Sequence, residues 1–383
     1  MKTELALHDQ QFTLHRFPKR ANETFQAWDA GDEYIINHFA ENPLVTGSKI
    51  LILNDNFGAL SCWFSRDYEV YLQSDSLISQ KGALKNLQRN QCNKVEFLRS
   101  TDTIPKDIDA VILQIPKSNR FLTWQLHQIR QSLPENTPVV AVNKANAIHT
   151  STLKLFEQHL GETSTSLAWK KHRLVFSKNN APSNKEVDAK TCWPVPEHDM
   201  QLCNLANVYS GESLDLGARF VLDHLPKHSQ YKKIIDLGCG NGVLSIQLGR
   251  NNLESEITSV DESFMAVESA RINVEANVSN PQRFTFVANN CLDGFEASSH
   301  DLVVCNPPFH QQNTVTDHIA WQMFTDAHKV LEDGGKLLVI GNSHLGYPAK
   351  LGRLFGPNKV KVVANNKKFT IVSAEKASRK SIK

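Results

Sequence analysis

Short apolar runs rich in β-branched residues alternate along the chain with stretches whose apolar positions recur every three or four residues. That alternation predicts strands joined by amphipathic helices, the rhythm of a mostly parallel sheet covered on both faces. In the second half, KIIDL (233 to 237), ITSV (257 to 260), FTFVA (284 to 288), DLVVC (301 to 305) and KLLVIG (336 to 341) read as strands. Helices fall between them near 243 to 251, 263 to 277 and 317 to 331, with Ser263 and Thr316 as expected N-caps and Asp333-Gly334-Gly335 as a stop. Near the end, VKVVANNKKFTIVSA predicts an antiparallel hairpin turning at Asn-Asn-Lys-Lys.

Residues 177 to 199 carry Asn, Ser, Pro and charge without a sustained apolar period, the pattern of a linker. The expected organisation is a first domain over 1 to 176, the linker over 177 to 199 and a second domain over 200 to 383. The halves also match each other. KILILNDNFGALS (49 to 61) aligns without a gap on KIIDLGCGNGVLS (233 to 245), and DAVILQIPKS (109 to 118) falls on DLVVCNPPFH (301 to 310). QSDS (73 to 76) is expected opposite SVDES (259 to 263), and PVVAVN (138 to 143) opposite KLLVIG. A duplicated α/β domain accounts for the repetition. The copies differ where chemistry would sit: Ile52, Asn54 and Asn56 replace Asp236, Gly238 and Gly240, keeping only Gly58 against Gly242. Gln114-Ile115-Pro116-Lys117 likewise replaces Asn306-Pro307-Pro308-Phe309, so the first copy is expected to have lost the chemistry.

A length of 383 residues suits two domains, and 40% hydrophobic with 21% charged residues excludes a disordered chain. No apolar run approaches the roughly 20 residues a membrane helix needs. Charges and His interrupt the amino-terminal stretch, which lacks the apolar segment of a secretory signal, so a cytoplasmic location is expected. The seven cysteines form no C-x-x-C pair and the 15 His are dispersed, so neither a disulfide framework nor a metal site is expected. A net charge of +2 conceals an asymmetry: residues 350 to 383 hold ten Lys/Arg against Glu375 alone, which leaves the rest of the chain acidic. Such a concentration suits a solvated tail or contact with phosphates.

Asp236-Leu237-Gly238-Cys239-Gly240-Asn241-Gly242 ends a strand and opens a helix, and Asp261 ends the next strand, where a carboxylate accepts ribose hydroxyls. A dinucleotide site would spend its glycines on a pyrophosphate, as G-x-G-x-x-G. Here an acid precedes them, which suits a cationic ligand. The run closely resembles the first motif of the S-adenosylmethionine-dependent methyltransferases with the seven-stranded fold. That resemblance implies that Asp236, Gly238, Cys239, Gly240, Asn241 and Gly242 surround the amino-acid end of S-adenosyl-L-methionine, and that Asp261 holds the ribose. It further implies that Asn290, or the adjacent Asn289, faces the adenine.

Val303-Val304-Cys305-Asn306-Pro307-Pro308-Phe309-His310 ends another strand. An exocyclic amine on a base is a poor nucleophile, and its nitrogen gains positive charge as it attacks. Two acceptors aimed at its N–H bonds stabilise that charge in the transition state. The Asn306 side-chain oxygen and the Pro307 carbonyl supply them, the prolines fix the backbone, and Phe309 stacks on a base swung out of its helix. The methylated nitrogen loses its proton to water, so His310 and His318 receive no catalytic role. Cys239 and Cys305 have no partner that would make them nucleophiles. Trp321, Met323 and Phe324 are expected as core or cleft wall.

N-P-P-[FY] is shared by amino methyltransferases acting on adenine, guanine, cytosine and protein glutamine. With His310-Gln311-Gln312, LDLG (214 to 217) and the altered first copy, nearly the whole chain resembles the bacterial ribosomal RNA guanine-N2 methyltransferases. NDNFGALSC (54 to 62) is most similar to the branch acting on the large subunit. The resemblance implies two tandem Rossmann-like class I methyltransferase domains, the first degenerate and positioning RNA, the second catalytic with a seven-stranded sheet ending in an antiparallel hairpin. It implies methyl transfer to the N2 amine of a guanine in 23S ribosomal RNA. The alternatives are 16S ribosomal RNA, protein glutamine, or an RNA-binding assembly factor without catalysis.

Overall fold

The structure, a computed structural model, describes residues 2–180, 186–209, 212–227, 230–308 and 314–378, with 314–316 as backbone only. Phe309, His310, Gln311 and Gln312 lie outside the described residues, as do Arg379, Lys380 and Lys383 of the basic segment.

The chain divides into two units, Met1–Ala189 and Lys190–Lys383. The first runs β1 (Glu4–Leu7), β2 (Gln10–Thr13), α1 (Ala30–Glu41), β3 (Lys49–Leu53), α2 (Ala59–Phe64), β4 (Glu69–Ser74), α3 (Leu77–Arg89) and β5 (Val95–Arg99). It continues with β6 (Ala110–Gln114), α4 (Asn119–Ser132), β7 (Pro138–Lys144), α5 (Thr150–His159), β8 (Thr163–Thr165) and β9 (His172–Lys178). The second runs β10 (Lys190–Val195), β11 (Met200–Leu205), α6 (Leu216–Leu222), β12 (Lys233–Leu237), α7 (Val243–Asn251), β13 (Glu256–Asp261), α8 (Phe264–Asn277) and β14 (Phe284–Ala288). β15 (His300–Cys305), α9 (Thr314–Val330), β16 (Leu331–Asn342), α10 (Tyr347–Phe355), β17 (Val360–Asn365) and β18 (Phe369–Glu375) complete it.

The two large sheets have one topology, β5-β4-β3-β6-β7-β9-β8 and β14-β13-β12-β15-β16-β18-β17. In each, five parallel strands are followed by two more joined through antiparallel pairings, so that only β9 and β18 run against the rest. Side chains alternate between two cores. In the second unit Ile234, Val304 and Ile340 pack with α6, α7 and α8, whereas Ile235, Val303 and Val339 pack with α9 and α10. Each such buried aliphatic side chain contributes about 1.5–3 kcal/mol.

The repeat reaches further than the sequence match. On α8, Ser269, Asn273 and Asn277 lie four residues apart and so share one helix face. They bind the backbone of β11: Asn273 accepts from Cys203 N at 2.7 Å and donates to its carbonyl at 2.8 Å, and Asn277 does the same with Gln201. Leu205 N donates to Ser269 Oγ at 3.0 Å. In the first unit Asn86 and Asn90 treat His15 and Thr13 alike. An otherwise open strand edge is thereby satisfied in both copies, and the duplication includes the hairpins β1–β2 and β10–β11.

Five expectations change. Asp333-Gly334-Gly335, expected as the stop of the helix before it, lies inside β16, which begins directly after α9 ends at Val330. The linker over 177 to 199 contains the end of β9 and the whole of β10, because a half-exposed hairpin strand has little apolar periodicity to show. Cys192 and Cys203 face each other in the β10–β11 register and form a disulfide, with Cα atoms 4.0 Å apart. Strand pairing, not sequence spacing, brings them together. Thr316 lies within α9, which begins at Thr314, so it is not the N-cap. Ser263 does cap α8, accepting from Ala266 N at 3.1 Å. The acid of QSDS is one residue out of step: Ser74, paired with Arg99, stands where Asp261, paired with Ala288, stands in the second unit.

Candidate active site

β12 lies between β13 and β15, where the order of strands reverses, and ligands of such sheets bind outside the strand ends at that point. Leu237 pairs with Cys305, so the turn after β12 and the N-P-P run after β15 are neighbours. A Cβ added to Gly238 would lie 3.1 Å from Met323 Cε and 3.6 Å from the Asn306 carbonyl oxygen.

Two glycines of the turn do different work. Gly242 has φ +80°, and a Cβ there would meet Ala270 Cα of α8 at 2.8 Å. Gly58 repeats this, with φ +83° and Ala83 Cα at 2.7 Å. That explains its retention in the first copy: it is needed for helix packing whether or not a ligand binds. Gly240, at φ +52°, has nothing within 4 Å of the added Cβ, so its backbone is open to a ligand.

Asp236 is buried. Its Oδ2 accepts from Ser245 Oγ at 2.6 Å, and Oδ1 has no partner among the described residues. Burial pushes its pKa up to about 6. The folded domain therefore holds this proton more tightly than the unfolded chain. Stability from this group is full below about pH 4 and is lost as pH rises through about 6, by on the order of 3 kcal/mol. Urea unfolding across that range should show the loss, and Asp236→Asn should flatten it.

Asp261 Oδ2 accepts from Gly240 N and Oδ1 from Ser263 N, both at 3.0 Å. Asn289 is occupied within its own turn, donating to the carbonyls of Cys291 and Asp293. Asn290 is buried and accepts from Gln322 Nε2 of α9 at 3.2 Å.

Asn306 is half-buried, and its Oδ1 is a buried oxygen without a partner among the described residues. Met323 and Phe324 are buried as expected, but Trp321 is 42% exposed and is not core. Burial pushes the thiols of Cys239 and Cys305 well up, so neither is a thiolate at neutral pH. Among the described residues no group of three His, Cys, Asp or Glu is placed to hold a metal ion.

The corresponding place in the first unit is closed by its own side chains. Gln114, the counterpart of Asn306, donates to Asp32 and accepts from Asn56 Nδ2 at 3.3 Å. Asn54 and Gln125 exchange hydrogen bonds at 3.0 and 3.1 Å. Asp32 sits three residues after the N-cap Asp29 of α1, whereas in α6 that place after Asp215 belongs to Ala218, which has no polar group to offer. Asp55 compensates for Ile52 by taking the Ser61 hydroxyl at 2.7 Å, as Asp236 takes that of Ser245.

Gln322, which donates to Asn290, and Ser245, which donates to Asp236, were not legible as partners of the candidate site residues.

The architecture is that of a class I methyltransferase, present twice. Residues 2–181 match the RLMG N-terminal domain family and residues 199–373 the Methyltransferase small domain family. The chain is 61% identical to the ribosomal RNA large subunit methyltransferase G of Vibrio campbellii over 98% of both chains, and 60% identical to that of Aliivibrio fischeri over 99% of this chain and 100% of the relative. It belongs to the ribosomal RNA large subunit methyltransferase G family. Its fold is similar to that of a T. thermophilus 16S rRNA N2 methyltransferase solved with AdoMet and guanosine, at a TM-score of 0.77 and 18% identity over 98% of this chain and 97% of the other.

Proposed function

We propose that the chain transfers a methyl group from S-adenosyl-L-methionine to the exocyclic N2 amine of a guanine in 23S ribosomal RNA. The observation that carries this reading is the unpartnered Asn306 oxygen beside the open glycine turn. When bound, S-adenosylmethionine supplies a methyl group on a positively charged sulfur. The residues present fit it. The unpartnered Asp236 Oδ1 suits the ammonium, and Cys239, Asn241 and Gly242 complete the turn around it. Asp261 accepts the ribose hydroxyls, and Asn290 with Gln322 walls the adenine. Asn306 Oδ1 and the Pro307 carbonyl accept the two N–H bonds of the target amine, Pro308 stiffens the turn, and Phe309 is assigned to stack on the base. The names of the relatives favour the large subunit over 16S ribosomal RNA. Purified protein, S-adenosylmethionine and ribosomal RNA should yield N2-methylguanosine in 23S RNA by mass spectrometry; its absence would refute the reading.

The first unit serves as the RNA-positioning domain in this reading. Arg16 lies over Phe57 and Phe25, Lys85 lies over Phe17, and Phe25 is 55% exposed. Cations interleaved with aromatic faces suit single-stranded RNA. In the second unit Lys350 pairs with Asp317, Lys359 with Glu375, and Lys376 donates to the Leu331 carbonyl. Lys367 and Lys368 are in the β17–β18 turn, at the end of the sheet where β16 finishes. Replacing both with Gln should flatten the salt dependence of RNA binding by about 0.7 for each phosphate no longer neutralised, with Lys359→Gln as the neutral comparison. An unchanged slope would return the turn to ordinary surface. No helix among the described residues is long and apolar enough to cross a membrane. The cytoplasm, where ribosomal RNA is made, is the proposed location.

A further inference from the structure

Asn342 is the last residue of β16 and opens a single turn of 3-10 helix over Ser343–Leu345. An Asn in that place ordinarily spends its side-chain oxygen on capping. Here it makes no capping bond, and Oδ1 is a buried oxygen without a partner among the described residues. Leaving such an acceptor unmade costs stability, which a substrate donor would recover.

Its position relates it to the target amine. Asp236, Asn306 and Asn342 each carry an unpartnered buried oxygen, and they lie at the ends of the neighbouring strands β12, β15 and β16. Asn306 continues the alternation of Leu302 and Val304, and Asn342 that of Leu338 and Ile340, which share one core. β15 and β16 pair at Cys305 and Val339, so Asn342 stands two residues further out than Asn306 on the adjacent strand. Strand geometry separates their backbones by about 8 Å, which two Asn side chains reaching toward one base can span. In the first unit Lys144 holds the corresponding place, opening the 3-10 turn after β7, so this acceptor is absent from the copy that has also lost Asn306.

Resting on the guanine-N2 reading above, we infer that Asn342 is a specificity-determining residue whose Oδ1 accepts the N1–H of the target guanine while Asn306 and Pro307 hold the neighbouring N2 amine. Guanine presents N1–H and N2–H2 side by side. Adenine has a lone pair at N1, which would face the Asn342 oxygen and be repelled.

The test uses the full-length protein and an RNA fragment in which the methylated guanine is replaced by 2-aminopurine, which keeps the amine but has no N1–H. Wild type should favour guanine about 10- to 100-fold in kcat/KM. Asn342→Ala should bring the two substrates within about threefold by lowering guanine alone, and Asn342→Asp, which retains an acceptor, should restore much of the preference. A role in folding alone would lower both substrates together, and that result, or an unchanged ratio, overturns the inference. Wild type that transfers nothing to guanine would instead overturn the proposed function, and the inference with it.

Discussion

Replacing Asn306 with Ala should lower kcat about 10²–10³-fold while leaving the affinity for S-adenosylmethionine unchanged. The separation follows from geometry. The carbonyl of Asn306 lies near Gly238, but its side-chain oxygen has no hydrogen-bond partner among the described residues, so truncation removes no bond to that oxygen that would hold the fold or the turn. What disappears is an acceptor needed only when the amine gains positive charge, so the effect falls on kcat. Single-turnover methylation with calorimetric measurement of cofactor binding distinguishes the two quantities. Near-normal turnover in the variant would refute the acceptor role, and a parallel loss of cofactor binding would reassign Asn306 to the cofactor.

Gly242→Ala should destabilise the second unit by about 2–4 kcal/mol, whereas Gly240→Ala should cost about 1 kcal/mol of stability and act chiefly on cofactor binding. Both residues have positive φ, so both variants carry backbone strain. Only at Gly242 does the new methyl also meet the backbone of α8, which cannot move aside as a flexible side chain would. Gly58→Ala should behave like Gly242→Ala in the first unit, where no ligand is expected to enter. Thermal unfolding of the three variants, with and without S-adenosylmethionine, measures both effects. Equal destabilisation by Gly240→Ala and Gly242→Ala would show that the division of labour is wrong.

The second-half strands and the hairpin from 360 to 374 were legible because alternating or continuous apolar runs bounded by turn residues have few other structures available. The D-x-G-x-G-x-G and N-P-P runs were legible because glycines and prolines stand out wherever the backbone must bend or stop. β10 was not, since its exposed and half-buried residues imitate a linker. Nor was the pairing of Cys192 with Cys203, which depends on a hairpin register. Trp321 was expected as core or cleft wall on its chemistry and is not core, because whether a helix position faces the sheet depends on how that helix is docked.

The sequence by itself determined the two α/β units, the class of chemistry and the residues of the two motifs, because local backbone preference and hydrophobic period act over short stretches of chain. The tertiary structure alone decided which oxygens remain without a donor. Gln114 is closed because Asp32, far away in sequence, accepts from it, whereas the place in α6 that corresponds to Asp32 holds Ala218, which has no polar group to offer Asn306. Satisfaction of a buried polar group is a property of everything packed around it, and no window of sequence contains that information.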